Sequence, residues 1–467
     1  MNSLDILILV ILVITTVSAI VASNRAKGVL TILISLLTLL VVIQFLWKGF
    51  YWQYIPAYLL IGLLIIVVFS KTALPRKLQR ISLGLLLVVA LMPWAIFLPV
   101  PVLTEPSGKY AVGTRVFRWV DSTRAEQITK DPFDKRNVIV QAWYPAQGDV
   151  NGTHSLYLDG WPNLPPKVSV LPSFLLDHYD QIDTYAAANA TPAQGKWPVV
   201  LFLPGYGAAR AFYTSLAVDL ASQGYVVFCL DHPYEAALTQ LANGKLATTI
   251  ENFEPGAPDR LGFMKNRLDI RVADVQFVLN QLENKNSSTN PFFTSLDLNR
   301  IGIAGHSFGG ATGAVAMAHD ARIKAAVNID GTLYGGLPES TTSRPFLLVE
   351  SNKDEKGETG RYARYEAGNR LLFRQFGSGF RYELVDADHY SFTDVPLLLA
   401  PPARLLAGYL LRFGQQSAKT HRATVSLVDA FFDHTLTGNP SRIDAVANRF
   451  EGIVRKQNAE PNRRSER

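Results

Sequence analysis

The sequence predicts a helical membrane region followed by a large α/β domain. Three observations carry this: long apolar runs in the first hundred residues, alternating strand-like and helix-like patterns after residue 107, and the pentapeptide Gly305-His306-Ser307-Phe308-Gly309 between such a strand and such a helix. At 467 residues the chain has room for both regions.

The apolar runs cover residues 4–22, 29–47, 54–69 and 81–98. Each approaches the ~20 residues a helix needs to cross the hydrocarbon layer. The third is the shortest and leans on Tyr51 and Trp52 as interfacial anchors. A cleaved signal segment does not explain four runs in succession, and the first has neither a basic flank nor a well-placed cleavage site. Asp5, at the edge of that run, is expected to reach water. Arg25 and Lys27 follow the first run; Lys71, Arg76, Lys77 and Arg80 follow the third; the intervening connection carries only Lys48. The positive-inside rule then places both basic connections in the cytoplasm and everything beyond residue 100 outside. The reading is a multi-pass protein of the cell inner membrane with its large domain on the extracytoplasmic side. A first run lying in the interface instead of crossing would invert that side. Ionisable residues are missing from the centres of the runs, which argues for anchoring over transport.

The expected organisation is a membrane region at 1–100, a linker at 101–112, a catalytic domain at 113–440 with a polar insertion near 146–196, and a helix end with a basic tail at 441–467. The net charge is +6 with 18% charged residues, and no basic patch or nucleic-acid motif stands out. This balance suits an anionic membrane surface and gives no case for a nucleic-acid partner. The single cysteine, Cys229 in "YVVFCLD", excludes an intrachain disulfide and reads as a buried strand residue. N-X-S/T triplets at Asn151, Asn189 and Asn286 matter only if the host glycosylates exported proteins.

Strands are expected at 136–145, in "WPVVLFLPGYG", "YVVFCLD", "RIGIAGHS", "IKAAVNID", "RPFLLVES" and "FRYELVDADH", with helices between most of them. That alternation predicts a mostly parallel sheet covered on both faces, with reactive groups at the carboxyl ends of its strands. Residues 396–415 are apolar and read either as helices packed on the sheet, the commoner case, or as a membrane-facing surface. Residues 422–438 read as an amphipathic helix and the final stretch as a disordered tail.

Ser307 is the candidate nucleophile. The small residues around it permit a sharp strand-to-helix turn that exposes Oγ and aims the next amide at the reacting centre. The competing role is a helix cap. A serine hydroxyl needs a base, and His232, His306 and His389 compete. His306 is adjacent and should diverge on the elbow. The order serine, acid, histidine expected with such an elbow favours His389 over His232. Asp330 and Asp354, both at strand ends, are equally good acids by this logic, whereas Asp386 and Asp388 lie too close to His389 in sequence to orient its ring. The oxyanion hole should combine the amide of Phe308 with one from "FLPGYGAAR", best supplied by Tyr206.

Five stretches share a family likeness: "WYP" at 143–145, "PGYGAARAFYTSLAVDLASQGYVV" at 204–227, "GHSFGGAT" at 305–312, "NIDG" at 328–331 and "DADHYSFTD" at 386–394. From about residue 113 to about 438 the chain resembles the plasma-type platelet-activating-factor acetylhydrolases and their bacterial relatives. The resemblance implies an α/β-hydrolase fold and hydrolysis of short or oxidised acyl groups from phospholipids, without metal or other cofactor. It implies Asp330, rather than Asp354, as the acid, and the amides of Tyr206 and Phe308 as oxyanion donors. It does not extend to the four apolar runs, which the secreted plasma enzymes lack. The plasma enzymes carry a leucine where Tyr206 stands and a histidine where Pro204 stands, so a different acyl preference is expected. The expected partners are a phospholipid or small ester substrate and membrane lipids. A tethered general carboxylesterase or polyester hydrolase is the alternative; an inactive membrane interaction protein is a remote one.

Overall fold

The computed structural model describes residues 3–21, 27–70, 75–148, 155–168, 171–250, 259–287, 289–352, 359–377 and 379–456. Asp354, Asn151 and the basic-loop residues Arg25 and Lys71 lie outside the described residues. The chain divides into two compact units. One holds Met1–Val102 with Pro172–Gln181 and Leu397–Leu406; the other holds Leu103–Leu171, Ile182–Pro396 and Ala407–Arg467.

The first unit is built on helices α1 (Ser3–Val21), α2 (Lys27–Lys48), α3 (Ile55–Phe69) and α4 (Arg76–Ile96). A 3₁₀ turn over Trp52–Tyr54 extends α3, and with it all four helices are long and apolar enough to cross a membrane. Ile8, Leu12, Leu37, Leu60 and Leu64 form a buried seam, while Ile32, Leu46 and Leu85 face outward. Asp5 departs from expectation. It is 2% exposed and accepts a 2.9 Å hydrogen bond from the Tyr54 hydroxyl. The reason is tertiary: α1 and α3 bring together residues 49 positions apart, and a bonded carboxyl can be buried where a lone one cannot.

The second unit is built on a ten-stranded mixed sheet. Its strands are β1 (Val112–Ala125), β2 (Lys135–Pro145), β3 (Ala186–Ala188), β4 (Trp197–Leu203), β5 (Val226–Asp231), β6 (Leu296–His306), β7 (Ile323–Ile329), β8 (Phe346–Ser351), β9 (Gly379–Leu384) and β10 (Ile453–Arg455). The spatial order is β10-β9-β8-β7-β6-β4-β5-β2-β1-β3. The run from β9 to β5 is parallel, and antiparallel pairs flank it at β2/β5, β1/β2 and β9/β10. The central strands are buried on both faces, which is why they read as continuous apolar runs without alternation. Helices α6 (Arg260–Asn286), α7 (Phe308–His319) and α8 (Thr359–Phe376) contribute to the core on one face; α5 (Thr214–Gln223) and α10 (Ser417–Thr437) contribute to the other.

Three expectations change. β1, with its polar outer residues, was not anticipated, and its role is to pair with β2 over eleven positions. Beyond 441, where a helix end and a basic tail are expected, Ile443–Ala447 is helical and an unanticipated strand, β10, pairs with β9; the described residues end at 456. Helix α9 (Pro401–Leu411) buries only Gly408, and Leu405, Tyr409, Leu410 and Leu411 are 63–82% exposed. Packing on the sheet therefore does not account for its apolar residues.

Candidate active site

β6 runs straight into α7, and Ser307 is the joint. Its backbone sits at φ 55°, ψ −123°, a conformation costly for a residue with a side chain. Two neighbours must be glycine for the turn to close. A Cβ on Gly305 would lie 2.4 Å from the backbone of Gly309, and one on Gly309 would lie 2.0 Å from the carbonyl oxygen of Leu203. The Ser307 amide donates to Ile329 O at 2.7 Å, tying the turn to β7. Its hydroxyl makes no helix-cap bond and instead lies 2.9 Å from His389 Nε2.

His389 stands in the loop after β9. Its Nδ1 lies 2.6 Å from Asp330 Oδ2, and its side chain is 41% exposed while the aspartate's is fully buried. Asp330 follows β7 at φ 55°. Its other oxygen accepts from the Ser351 amide at 2.8 Å and from the Ser351 hydroxyl at 2.9 Å. These donors hold the carboxylate in one orientation and favour its charged form. The structure thus brings Ser307, His389 and Asp330 into one hydrogen-bonded line.

The two residues expected to supply oxyanion donors are neighbours through their side chains. Phe308 opens α7, so its amide belongs to the helix N-terminus, where backbone N–H groups favour negative charge. Tyr206 follows Gly205 in the loop after β4, and its ring packs edge-on to Phe308 with centroids 6.1 Å apart. Arg271 braces this loop. From α6 it donates to Pro204 O at 2.8 Å and to Glu235 at 2.9 Å, and its guanidinium lies 4.8 Å from the centre of the Phe308 ring.

The other histidines are placed elsewhere. His232 is buried and its Nδ1 lies 2.8 Å from Asp274, which also binds Arg124 and Arg136. Burial and then the nearby Arg271 charge push the His232 pKa down. His306 diverges on the elbow, as expected, but is not idle: its ring nitrogens meet the Tyr213 hydroxyl and the His389 carbonyl oxygen. Cys229 is buried in β5, and burial raises its thiol pKa far above the usual range.

Several site residues had no signal in the sequence. Ser351 and Arg271 carry none at all, because each reaches the site from a strand or helix remote in the chain. Asp388 was weighed only as a partner for the imidazole. Instead its carboxylate accepts from the amides of Tyr390, Gly414 and Gln415 at 2.8, 3.0 and 2.7 Å, and Ser391 Oγ takes its own N–H in a capping box. Asp-His-Tyr-Ser at 388–391 fits that capping box, so this role could have been read from the chain. Among the described residues, no cluster of His, Cys, Asp and Glu forms a metal site.

A serine, imidazole and carboxylate in this order can pass a proton from Oγ to the ring while the hydroxyl attacks a carbonyl carbon. Comparison with known proteins points to ester hydrolysis. The family model described as "Platelet-activating factor acetylhydrolase, isoform II" matches residues 102–359, which include Ser307 and Asp330 and stop before His389. A protein of Arthroderma benhamiae named "Probable 1-alkyl-2-acetylglycerophosphocholine esterase" is 30% identical over 293 residues, covering 56% of this chain and 69% of that one. The platelet-activating factor acetylhydrolase of Bos taurus is 27% identical over 38% of this chain and 45% of its own length, so the match spans less than half of that relative. Among solved structures, a ferulic acid esterase from Streptomyces cinnamoneus superposes with a TM-score of 0.63 at 26% identity, covering 76% of this chain and 99% of that one. With an α/β-hydrolase fold, the chain belongs to the platelet-activating factor acetylhydrolase isoform II family and is a carboxylic ester hydrolase.

Proposed function

We propose that the protein is a membrane-anchored serine esterase that removes short or oxidised acyl groups from phospholipids or related lipid esters. Ser307 is the nucleophile, His389 the general base and Asp330 the acid that stabilises the imidazolium. The Ser307 proton moves to His389 Nε2 as Oγ bonds to the ester carbonyl carbon. The amides of Tyr206 and Phe308 receive the oxyanion. The proton then passes from Nε2 to the leaving alcohol as its C–O bond breaks. Water, deprotonated by the same nitrogen, releases the acyl group and restores Ser307.

The observation that carries this reading is the imidazole of His389, 2.9 Å from Ser307 Oγ and 2.6 Å from Asp330 Oδ2. The lipid part rests on the family, on four helices able to cross a membrane and on the exposed apolar side chains of α9. The charge of the connecting loops supports a catalytic domain on the extracytoplasmic side of the inner membrane. We read the chain as an anchor of about 100 residues, a short linker and one catalytic domain.

The test is turnover of defined phospholipids with graded sn-2 chains in detergent, with Ser307→Ala as control. Short and oxidised chains should be cleaved fastest. Activity confined to soluble esters would favour a tethered general carboxylesterase, the reading that the ferulic acid esterase likeness supports. A C-terminal reporter active only in the cytoplasm would reverse the topology.

A further inference from the structure

Three hydrogen bonds run from the loop after β4 to the loop that holds His389. The Gly205 amide donates to the Tyr213 hydroxyl at 3.0 Å. That hydroxyl meets His306 Nδ1 at 2.8 Å, and His306 Nε2 meets the His389 carbonyl oxygen at 3.0 Å. Tyr213 and His306 are both buried, at 1% and 3% exposure, so the two bonds of the Tyr213 hydroxyl are shielded from water.

Chemistry fixes the direction of the chain. A carbonyl oxygen only accepts, so His306 Nε2 carries a proton. In the neutral ring Nδ1 is then an acceptor, and the Tyr213 O–H donates to it. The phenol oxygen is left to accept from Gly205. The His389 carbonyl sets the polarity of the two bonds made by the neutral His306 ring, and the Gly205 amide, which can only donate, agrees with that direction.

The two ends of this chain are mechanistically distinct. Gly205 immediately precedes Tyr206, the proposed oxyanion donor. The far carbonyl belongs to His389, the proposed base. Between them there is no slack: a Cβ on Gly205 would lie 3.2 Å from the Tyr213 hydroxyl, 3.3 Å from Ser307 Cβ and 3.4 Å from His306 Nδ1. The His306 and His389 rings also lie against each other, with centroids 4.6 Å apart.

We propose that Tyr213 and His306 are positioning residues that lock the oxyanion loop to the catalytic histidine, so that the donor and the base keep their spacing through both half-reactions. The proposal rests on the roles given above to Ser307, His389 and Tyr206. Both act at second hand: Tyr213 through the backbone of Gly205, next to the oxyanion donor, and His306 through the backbone of the base. Donor spacing matters at the ångström level, because oxyanion stabilisation depends on donors already aimed at the developing charge.

The experiment uses the full-length protein in detergent, a short-chain nitrophenyl ester, and a fluorophosphonate probe to count reactive serines. Tyr213→Phe removes the hydroxyl and keeps the ring. It should lower kcat per labelled serine about 10–100-fold, with KM within about threefold of the parent. His306→Phe should lose as much. His306→Asn retains an acceptor at the level of Nδ1, and His306→Gln retains a donor at the level of Nε2. Each keeps one of the two links and should fall between the parent and His306→Phe. A kcat per labelled serine within about twofold of the parent for Tyr213→Phe would overturn the proposal. So would a fall only in the labelled fraction or melting temperature, which is what a purely structural role produces. Ser307→Ala and His389→Ala serve as separate controls: turnover surviving in either sinks the catalytic assignment itself, whatever Tyr213→Phe does.

Discussion

Leu46 on α2 is 78% exposed and Leu201 on β4 is 0% exposed. The same side chain is placed in opposite ways in the two units. In the first unit, apolar residues face outward around a narrow buried seam, and the buried threonine hydroxyls are satisfied within their own helix: Thr15 donates to Ile11 O at 2.6 Å and Thr16 to Leu12 O at 2.7 Å. In the second unit, apolar residues turn inward, and buried polar groups reach across the fold. Arg136 on β2 binds Asp274 on α6, 138 positions away, and Arg210 binds Asp231 and Asp159. A helix apolar enough to cross a bilayer closes its backbone and most threonine hydrogen bonds within itself, whereas the sheet of the second unit brings distant charged partners together and lets them be buried as networks.

The largest expected effects lie at the site. Ser307→Ala and His389→Ala should each reduce turnover by about 10³–10⁶-fold, and Asp330→Asn by about 10⁴-fold, with near-parental melting temperatures. Initial rates on a phospholipid and on a nitrophenyl ester check this. A residual rate within tenfold of the parent would remove the residue from the mechanism.

Next come changes that separate the two units by stability. Asp274→Ala leaves buried Arg136 without its main carboxylate and should cost about 3–5 kcal/mol. Leu201→Ala should cost about 2–5 kcal/mol, and Leu46→Ala under about 0.5 kcal/mol. Denaturant unfolding in detergent, followed by fluorophosphonate labelling, reads all three. Equal costs for the two leucines would break the comparison.

A smaller effect depends on pH. Asp394 accepts from the Ser215 amide at 3.0 Å while its own amide donates to Phe212 O at 2.7 Å, and burial pushes its carboxyl up to about 6. The folded value lies above the unfolded one, so its contribution to stability is full below about pH 4 and is lost as pH rises through about 6. Asp394→Asn should flatten that part of the pH–stability curve by on the order of 1–3 kcal/mol. Asp429, raised to about 6 by burial and by Asp433, should leave a residual slope of the same sign. An unchanged slope in Asp394→Asn would show that this carboxyl is already ionised in the folded state at low pH.

The smallest effect is expected in the helices. Thr16→Val removes only a bond within its own turn and should shift stability by less than about 0.5 kcal/mol. A larger loss would mean that Thr16 serves a partner beyond its own helix.

Much of this was legible in the chain. The serine elbow is a local pattern, because its steric demands fall on residues within two positions of Ser307. The choice of His389 over His232 followed from chain order, and in the fold His232 is committed to Asp274. The tie between Asp330 and Asp354 was not resolvable from spacing, since the pattern put each just after a predicted strand. Family likeness favoured Asp330, and its carboxylate lies 2.6 Å from the imidazole; Asp354 is outside the described residues.

The sequence by itself determined where helices long enough to cross a bilayer would form, where the nucleophile turn would sit, and which strands would be buried on both faces. Those features depend on the identity of neighbours a few residues apart. Only the tertiary structure decided that Asp5 would be buried against Tyr54, that Ser351 would hold the carboxylate of Asp330, and that Tyr213 and His306 would join the oxyanion loop to His389. Those pairs lie 49, 21, 93 and 83 positions apart. Their meeting depends on strand order and helix packing, which are set by the whole chain at once and leave no periodic trace in it.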